Sequence, residues 1–490
     1  MTMGVVLLIS ATLSFSVYGQ TDDTNKEDRE KAIAAVEAAV PKAWKDPTRP
    51  VYHFRPPAQW MNDICGAIYY KGYYHIFYQY NPFNGDRWGD GYTLWAHARS
   101  RDLVRWEDLP WALLPMTDRG ERRCNSGCVT LDGHGRPMIF YTFVPARQNA
   151  TRLGKREHWG AIPLDDDLIR WRRVKDEPLM ATGMNGVPAN INGGWSDPFV
   201  FRSDGRAFVT FKSCNGLVCE AQNKALTQWK YAGRIDGVDG ECPNFFTLQG
   251  KWVLLRSTMP LTYIVGDFDP NTINFHITDP PGALDYGFGK NPPKDRVMTR
   301  GLYGTNVFTD EDGRRIMVGW VSGFKAGRGW NGCMSLPRIL TLDKDRRLIQ
   351  TPAPELRQLR GQRFHIENLS IANESKRLDG AHGDTLEIMA EFIPADAARL
   401  RSESSLQRGW TGRRYAQVRR RNSECGRDRG ANGPGRWPQN SQAACLSRQI
   451  RNGSVYQRWA YVRHSRKLPR RKGPGRCCLF REWQCYSKVA

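Results

Sequence analysis

Polar turns and apolar runs alternate along the body of the chain in a repeating form: a glycine at a turn, then a run rich in aromatic and β-branched residues. The runs are YYHIFYQY after Gly72, RPMIFYTF after Gly135, RAFVTFKS after Gly205, KWVLLRST after Gly250 and RRIMVGWV after Gly313, which spaces the glycines 63, 70, 45 and 63 residues apart. LDGHG, RSDG and DEDG at three of the turns are hairpin signals. A second repeat, Asp-Leu-Val-Arg-Trp at 102 to 106, returns as Asp-Leu-Ile-Arg-Trp at 167 to 171 and more loosely as Ala-Leu-Thr-Gln-Trp at 225 to 229. Units of this size built from several short strands have the dimensions of propeller blades, whose radial closure protects most strand edges. Five copies predict an all-β, five-bladed β-propeller over residues 50 to 350, with a β-sandwich of coincidental hairpins as the alternative. Helical patterning is convincing only from residue 27 to 40, in an N-terminal extension over residues 20 to 49.

The repeat also aligns chemistry. Eight or nine positions before each hairpin glycine stand Asp63, Ser126, Asp197, Glu241 and Gly304, the last beside Tyr303. Equivalent positions of successive blades lie at equivalent places around the axis, so these residues are expected to converge at one mouth of the central channel. Three of the five are carboxylates. Convergent carboxylates repel one another, so at least one is expected to have a raised pKa and to hold a proton near neutral pH. Cleavage of a glycosidic bond needs that division: a protonated acid for the leaving oxygen and an ionised carboxylate for the sugar carbon that becomes cationic. Trp60, Trp88, Trp95 and Trp330 are the nearby aromatics suited to the apolar faces of a sugar.

At these residues the sequence resembles the invertase, levanase and inulinase β-fructofuranosidases of glycoside hydrolase family 32, over about residues 50 to 360. HFRPPAQWMNDICGAIYYKGYYHIFYQYNP resembles the opening motif around Trp-Met-Asn-Asp-Pro-Asn-Gly, WSDPFVF the Arg-Asp-Pro motif and GECPNFF the Glu-Cys motif. TLWAHARSRDLVRWEDLP, LYGTNVFTDEDGRRIMVGW and WNGCMSLPRILTL followed by LIQTPAPEL agree as well. The resemblance implies a five-bladed propeller followed by a β-sandwich, a retaining reaction on β-fructofuranosides such as sucrose, levan or inulin, and no metal or organic cofactor. It makes Asp63 the nucleophile, Asp197 the transition-state stabiliser and Glu241 the acid/base. Asn62, Gln79, Trp88, Ser126, Tyr303 and Trp330 complete the implied fructose pocket, with Trp95 and Cys242 in supporting places. Three residues depart from the family pattern: Ile64 and Cys65 replace Pro-Asn after the nucleophile, and Ser196 replaces the Arg before the stabiliser. A Ser cannot reach sugar hydroxyls as an Arg fork does. Three other functions stay open: a sugar-binding propeller with impaired catalysis, a fructosyltransferase, and a relative acting on arabinan or xylan.

Charge changes the picture only at the C-terminus. The net charge of +22 over 490 residues resolves into +18 from residue 401 to 490, where 22 Lys and Arg face 4 Asp and Glu, and +4 for everything before. A nucleic-acid partner would therefore rest on the tail alone, and is the disfavoured reading. The implied sandwich begins at residues 355 to 400, with LEIMAEFIPADAARL patterned as a strand, and from Arg401 the apolar alternation fades into Arg, Gly, Pro and Cys. A shifted reading frame or a disordered, solvated tail would each account for that change. At the other end, residues 4 to 17 form an apolar run with small residues near Gly19, which reads as a signal peptide over residues 1 to 19 and predicts a secreted or periplasmic protein. The run is too short for a comfortable membrane span. Some of the 12 cysteines would then meet oxidising conditions in which they can pair. Cys124 with Cys128 and Cys214 with Cys219 are spaced like metal-ligand pairs, but no His stands at zinc-site spacing, so no metal is expected.

Overall fold

The computed structural model describes residues 26–86, 92–146, 157–189, 191, 195–212, 216–289, 292–371, 375–382, 385–394 and three strand segments, 407–408, 414–419 and 478–487. The chain divides into two compact units, Met1–Ala353 and Pro354–Ala490.

In the first unit the hairpin repeats become five blades. Each blade is an antiparallel meander of four strands in chain order, and each begins on an inner strand: Gln59–Tyr70, Glu121–Leu131, Ser196–Ser203, Glu241–Leu248 and Leu302–Thr309. Neighbouring inner strands touch in cyclic order, and the fifth returns to the first, so the five-bladed ring is closed. Closure is reinforced by the chain itself. Trp330–Asn331, from the fifth blade's stretch of sequence, pairs in parallel with Gln59 and Trp60 at the head of blade one, and the backbones of Met334 and Phe54 are joined by a 2.9 Å hydrogen bond.

Both repeats have a physical reason. The five turn glycines lie at φ between 74° and 81°, a left-handed region that a side chain makes costly. The Asp-Leu-x-x-Trp repeat holds a residue that lacks that freedom: Leu103, Leu168 and Leu226 sit at φ 58°, 58° and 56°. In each copy the tryptophan three residues on donates its indole N–H to that leucine's carbonyl, at 3.2, 2.7 and 2.8 Å. The leucines are buried, so packing and the indole bond offset a backbone cost of about 1–2 kcal/mol. Two of these tryptophans also join blades. Trp171 meets Phe77 of blade one, and Trp229 meets Phe140 of blade two, each edge-on at 5.5 Å.

The N-terminal helix spans Lys26–Lys45 and runs past the predicted end through Pro41. No helix of the described residues is long and apolar enough to cross a membrane.

The second unit contains two three-stranded sheets. In one, Cys478–Ser487 pairs antiparallel with both Arg363–Ile371 and Leu386–Pro394. A central strand therefore comes from a stretch in which the sequence shows no strand pattern, and both of its pairing partners lie far upstream in the chain. The other sheet joins Ser375–His382, Arg414–Arg419 and Gln407–Arg408.

Candidate active site

All five inner strands are irregular at the same place. Their pairing with the second strand of the blade slips between Met61 and Ile64, Asn125 and Gly127, Ser196 and Phe199, Glu241 and Asn244, and Tyr303 and Asn306. A bulge re-aims a side chain that a regular ladder would commit to one face of the sheet. Repeated around a ring, it turns one residue from each blade toward the axis. Asp197, Cys242 and Gly304 occupy these bulges at φ 55°, 46° and 51°. The bulges also resolve the choice between eight and nine positions. Cys242 stands in the place of Asp197, whereas Glu241 stands one residue earlier, in the place of Ser196. Two acids thus lie deep and the third nearer the rim.

The deep part is a chain of neutral partners around Asp63. Ser126 donates its hydroxyl to Asp63 Oδ2 at 2.8 Å, Gln79 Nε2 donates to Ser126 Oγ at 2.8 Å, and Asn62 Nδ2 donates to Gln79 Oε1 at 3.0 Å. The Cys242 thiol lies 3.6 Å from Asp63 Oδ2 and 3.9 Å from Asp197 Oδ2, and the Cys242 backbone N–H donates to Asp197 Oδ2 at 3.1 Å. Asp197 is further fixed by its own N–H, which donates to Thr142 Oγ1 at 3.1 Å. Gly304 is required here, since a Cβ at that position would collide with Asp63 Oδ1. Burial first, then the charges of Asp197 and Glu241, push the Asp63 carboxyl up to about 7, although the Ser126 hydrogen bond opposes them. Burial also raises Asp197, against the pull of Lys212 and the Cys242 N–H.

Glu241 is treated differently. Its side chain is 30% exposed and held between two cations. Lys212 Nζ donates to Oε1, and Arg300 Nη1 donates to Oε2 at 2.7 Å. Burial raises this carboxyl, but the two cations and their hydrogen bonds outweigh it and bring it down to about 2. Arg300 in turn lies over the Tyr303 ring, 4.3 Å from its centroid. Of the three acids, the one that the resemblance makes the proton donor is therefore the most firmly ionised, whereas Asp63 and Asp197 are the carboxyls pushed up.

The structure brings Asn62, Asp63, Gln79, Ser126, Asp197, Glu241 and Tyr303 together. Trp88 lies outside the described residues. Trp330 is 2% exposed; it packs on Phe324 with centroids 4.8 Å apart and donates its indole N–H to Asp46 Oδ2 at 2.8 Å. Trp60 and Trp95, read as sugar-facing, are corrected: both are 0% exposed. Trp60 packs edge-on against Trp320, and Trp95 packs near Tyr141 while donating to the Asn125 carbonyl. Their apolar area is consumed between strands. Lys212 and Arg300 went unseen in the sequence. The signal for Lys212 was its place next to last in the RAFVTFKS run, which the ladder sets opposite Ser196; Arg300 lies just before the fifth inner strand and has no repeat partner. Cys65, Cys124, Cys128, Cys219, Cys242 and Cys333 are all buried. No group of three or more potential metal ligands occurs among the described residues.

A ring of bulged strands carrying clustered carboxylates to one end of a five-bladed propeller defines an acid-lined propeller site, suited to a neutral, hydroxyl-rich ligand. The model of the glycosyl hydrolases family 32 N-terminal domain matches residues 53–352, and the chain belongs to that family. Levanase of Bacillus subtilis is 32% identical over 415 residues, covering 75% of this chain and 56% of the levanase. The sucrose-6-phosphate hydrolase of the same organism is 29% identical over 416 residues, 76% of this chain and 79% of that protein. The chain thus spans a little over half the length of the levanase. Among solved structures, fructan 1-exohydrolase IIa from Cichorium intybus matches with a TM-score of 0.59 at 25% identity, over 71% of this chain and 68% of that one. A Bombyx mori GH32 β-fructofuranosidase in complex with sucrose matches with a TM-score of 0.58 at 26% identity, over 75% of this chain and 77% of that one.

Proposed function

We propose that this protein is a retaining β-fructofuranosidase that releases fructose from substrates of the sucrose, levan or inulin type. One observation carries the reading: three carboxylates from three blades, Asp63, Asp197 and Glu241, meet at one mouth of the propeller, two of them coupled through the Cys242 thiol. Asp63 attacks the anomeric carbon of a terminal fructofuranose while Glu241 protonates the departing oxygen, leaving a fructosyl-enzyme. Glu241, ionised again, takes a proton from water, which displaces Asp63 and releases fructose with retained configuration, and Asp197 stabilises the cationic ring through its hydroxyls.

The reading requires a proton distribution opposite to the one these surroundings favour. The reactive form has Asp63 ionised and Glu241 protonated, whereas burial at Asp63 and the two cations at Glu241 favour the opposite. The two acids titrate as a coupled set, and a ligand that turns Lys212 and Arg300 away from Glu241 moves the proton in the required direction. Asn62 Oδ1, buried and without a hydrogen-bond partner among the described residues, is an acceptor ready for a sugar hydroxyl. The apolar leader over residues 4 to 17 supports a secreted or periplasmic location.

The two cations on Glu241 also favour a second reading, a propeller that binds sugar without cleaving it. Purified protein incubated with sucrose, inulin and levan separates the two. Fructose released with each turnover is the expected result, and binding of these sugars with no product would establish the second reading. Transfer to a sugar acceptor would instead appear as longer fructosides.

A further inference from the structure

Glu241 receives cations from two blades, and the one from blade three has no counterpart in the motifs read from the sequence. Lys212 ends the second strand of blade three, directly across the ladder from Ser196, at the bulge that turns Asp197 inward. Ser196 is buried and short. Its hydroxyl supports Asp197 and reaches no further. The cation that a longer side chain at 196 would provide is supplied instead across the ladder. Lys212 bonds Glu241 and its charge acts on Asp197, so it lies between the acid on the rim and the acid on the floor.

We propose that Lys212 is a substrate-positioning residue, whose ammonium leaves Glu241 when a fructosyl ring is seated and donates to ring hydroxyls held on their other side by Asp197. This rests on the fructosidase reading above. A hydroxyl donates and accepts at once, so a carboxylate and an ammonium side by side can read neighbouring hydroxyls of one ring. A lysine suits the movement better than an arginine, because its charge is compact and its stem flexible. The move has a consequence for the reaction: one of the two cations that keep Glu241 ionised is withdrawn only with sugar in place, so the acid is armed in part by its own substrate.

The test uses the full-length protein and four variants, Lys212→Ala, Lys212→Met, Ser196→Arg and Lys212→Ala combined with Ser196→Arg, each checked by thermal melting. Losing one charge-assisted contact raises KM roughly tenfold to a hundredfold, with a smaller change in kcat. The groups facing Glu241 are Lys212 from blade three, Arg300 and Tyr303 from blade five, and Asp63, Asp197 and Cys242 from the floor. With Lys212 gone, the acidic limb of the kcat/KM profile moves to higher pH. Lys212→Met keeps the apolar stem and carries the same expectation should the alanine variant melt early. Ser196→Arg in the alanine background restores most of the KM, since it returns a cation to the opposite strand. A KM within twofold of the parent with an unmoved acidic limb, or a double variant no better than the single one, would overturn the proposal. A parent protein inactive on every fructoside would sink the functional reading instead, which keeps the two failures apart.

Discussion

The floor and the rim of the site contain the same functional group in opposite states. Around Asp63 the partners are a hydroxyl, an amide chain and a thiol, none carrying positive charge, and burial drives the carboxyl up to about 7. Around Glu241 the partners are Lys212 and Arg300, and the carboxyl falls to about 2 despite partial burial. A carboxylate's role therefore cannot be inferred from its being one of a cluster: what decides is whether desolvation or a cation dominates at that point. Under the retaining reaction proposed above, the floor favours a proton that the chemistry must remove, and the rim favours a charge that the chemistry must neutralise.

The largest expected effect separates the two acids by turnover. Asp63→Ala removes the attacking group, and loss on the order of 10⁴-fold or more in kcat is expected. Glu241→Gln leaves the attacking group and removes the proton donor of the first step and the base of the second, for a loss of about 10²–10⁴-fold, with the first step spared on a fructoside whose leaving group needs no proton. Steady-state rates on sucrose and on an activated aryl fructoside check this. Equal losses for both variants on both substrates would erase the distinction between floor and rim.

Stability should divide the same two residues by sign. Asp63 has a folded pKa of about 7, above the ordinary carboxylate value of about 3.9. Its contribution is fully present below about pH 4 and is lost as pH rises through 7. A shift of this size corresponds to about 4 kcal/mol, so Asp63→Asn should raise the melting temperature at pH 8 and leave it nearly unchanged at pH 4. Glu241 is lowered to about 2, so its contribution is present above the unfolded value and is lost as pH falls through 2. Glu241→Gln should therefore lower the melting temperature at pH 6 to 8. Melting curves at pH 4 and pH 8 for both variants decide it; matching signs would contradict the electrostatic contrast.

Much of the scaffold was legible because its repeats are local. A glycine at φ near 75° leaves its mark in the sequence as a glycine before an aromatic run, and the indole bond to Leu103, Leu168 and Leu226 leaves its mark as a tryptophan three places on. The acids were legible through the same register and through motifs around Asp63, Asp197 and Glu241. What escaped depends on contacts across the fold. No local pattern states that Lys212 and Arg300, from different blades, close on one carboxylate, or that Trp60 and Trp95 spend their faces between strands. The bulges escaped too, since a two-for-one pairing is a property of two strands, and with them the one-residue offset that puts Glu241 at the rim. Cys478–Ser487 was missed because its partners, Arg363–Ile371 and Leu386–Pro394, are distant in sequence.

The smallest expected effect tests the contrast most directly, by moving the two limbs of the pH profile unequally. The reactive state carries one proton over the pair, so kcat/KM falls below the lower pKa, set at the rim, and above the upper one, set at the floor. Ser126→Ala removes a hydrogen bond that favours the ionised form of Asp63, so the alkaline limb should move to higher pH, by roughly one unit for a bond of about 1.5 kcal/mol. Arg300→Ala removes a cation that is hydrogen-bonded to Glu241 and acts on Asp63 only through its charge, so both limbs should move to higher pH, the acidic one further. Profiles of kcat/KM carried from below pH 2 to about pH 9 span both limbs and resolve shifts of that size. If Ser126→Ala moved the acidic limb, or Arg300→Ala moved the alkaline limb further than the acidic one, the raised carboxyl would have been assigned to the wrong residue, and the floor rather than the rim would be the source of the acid.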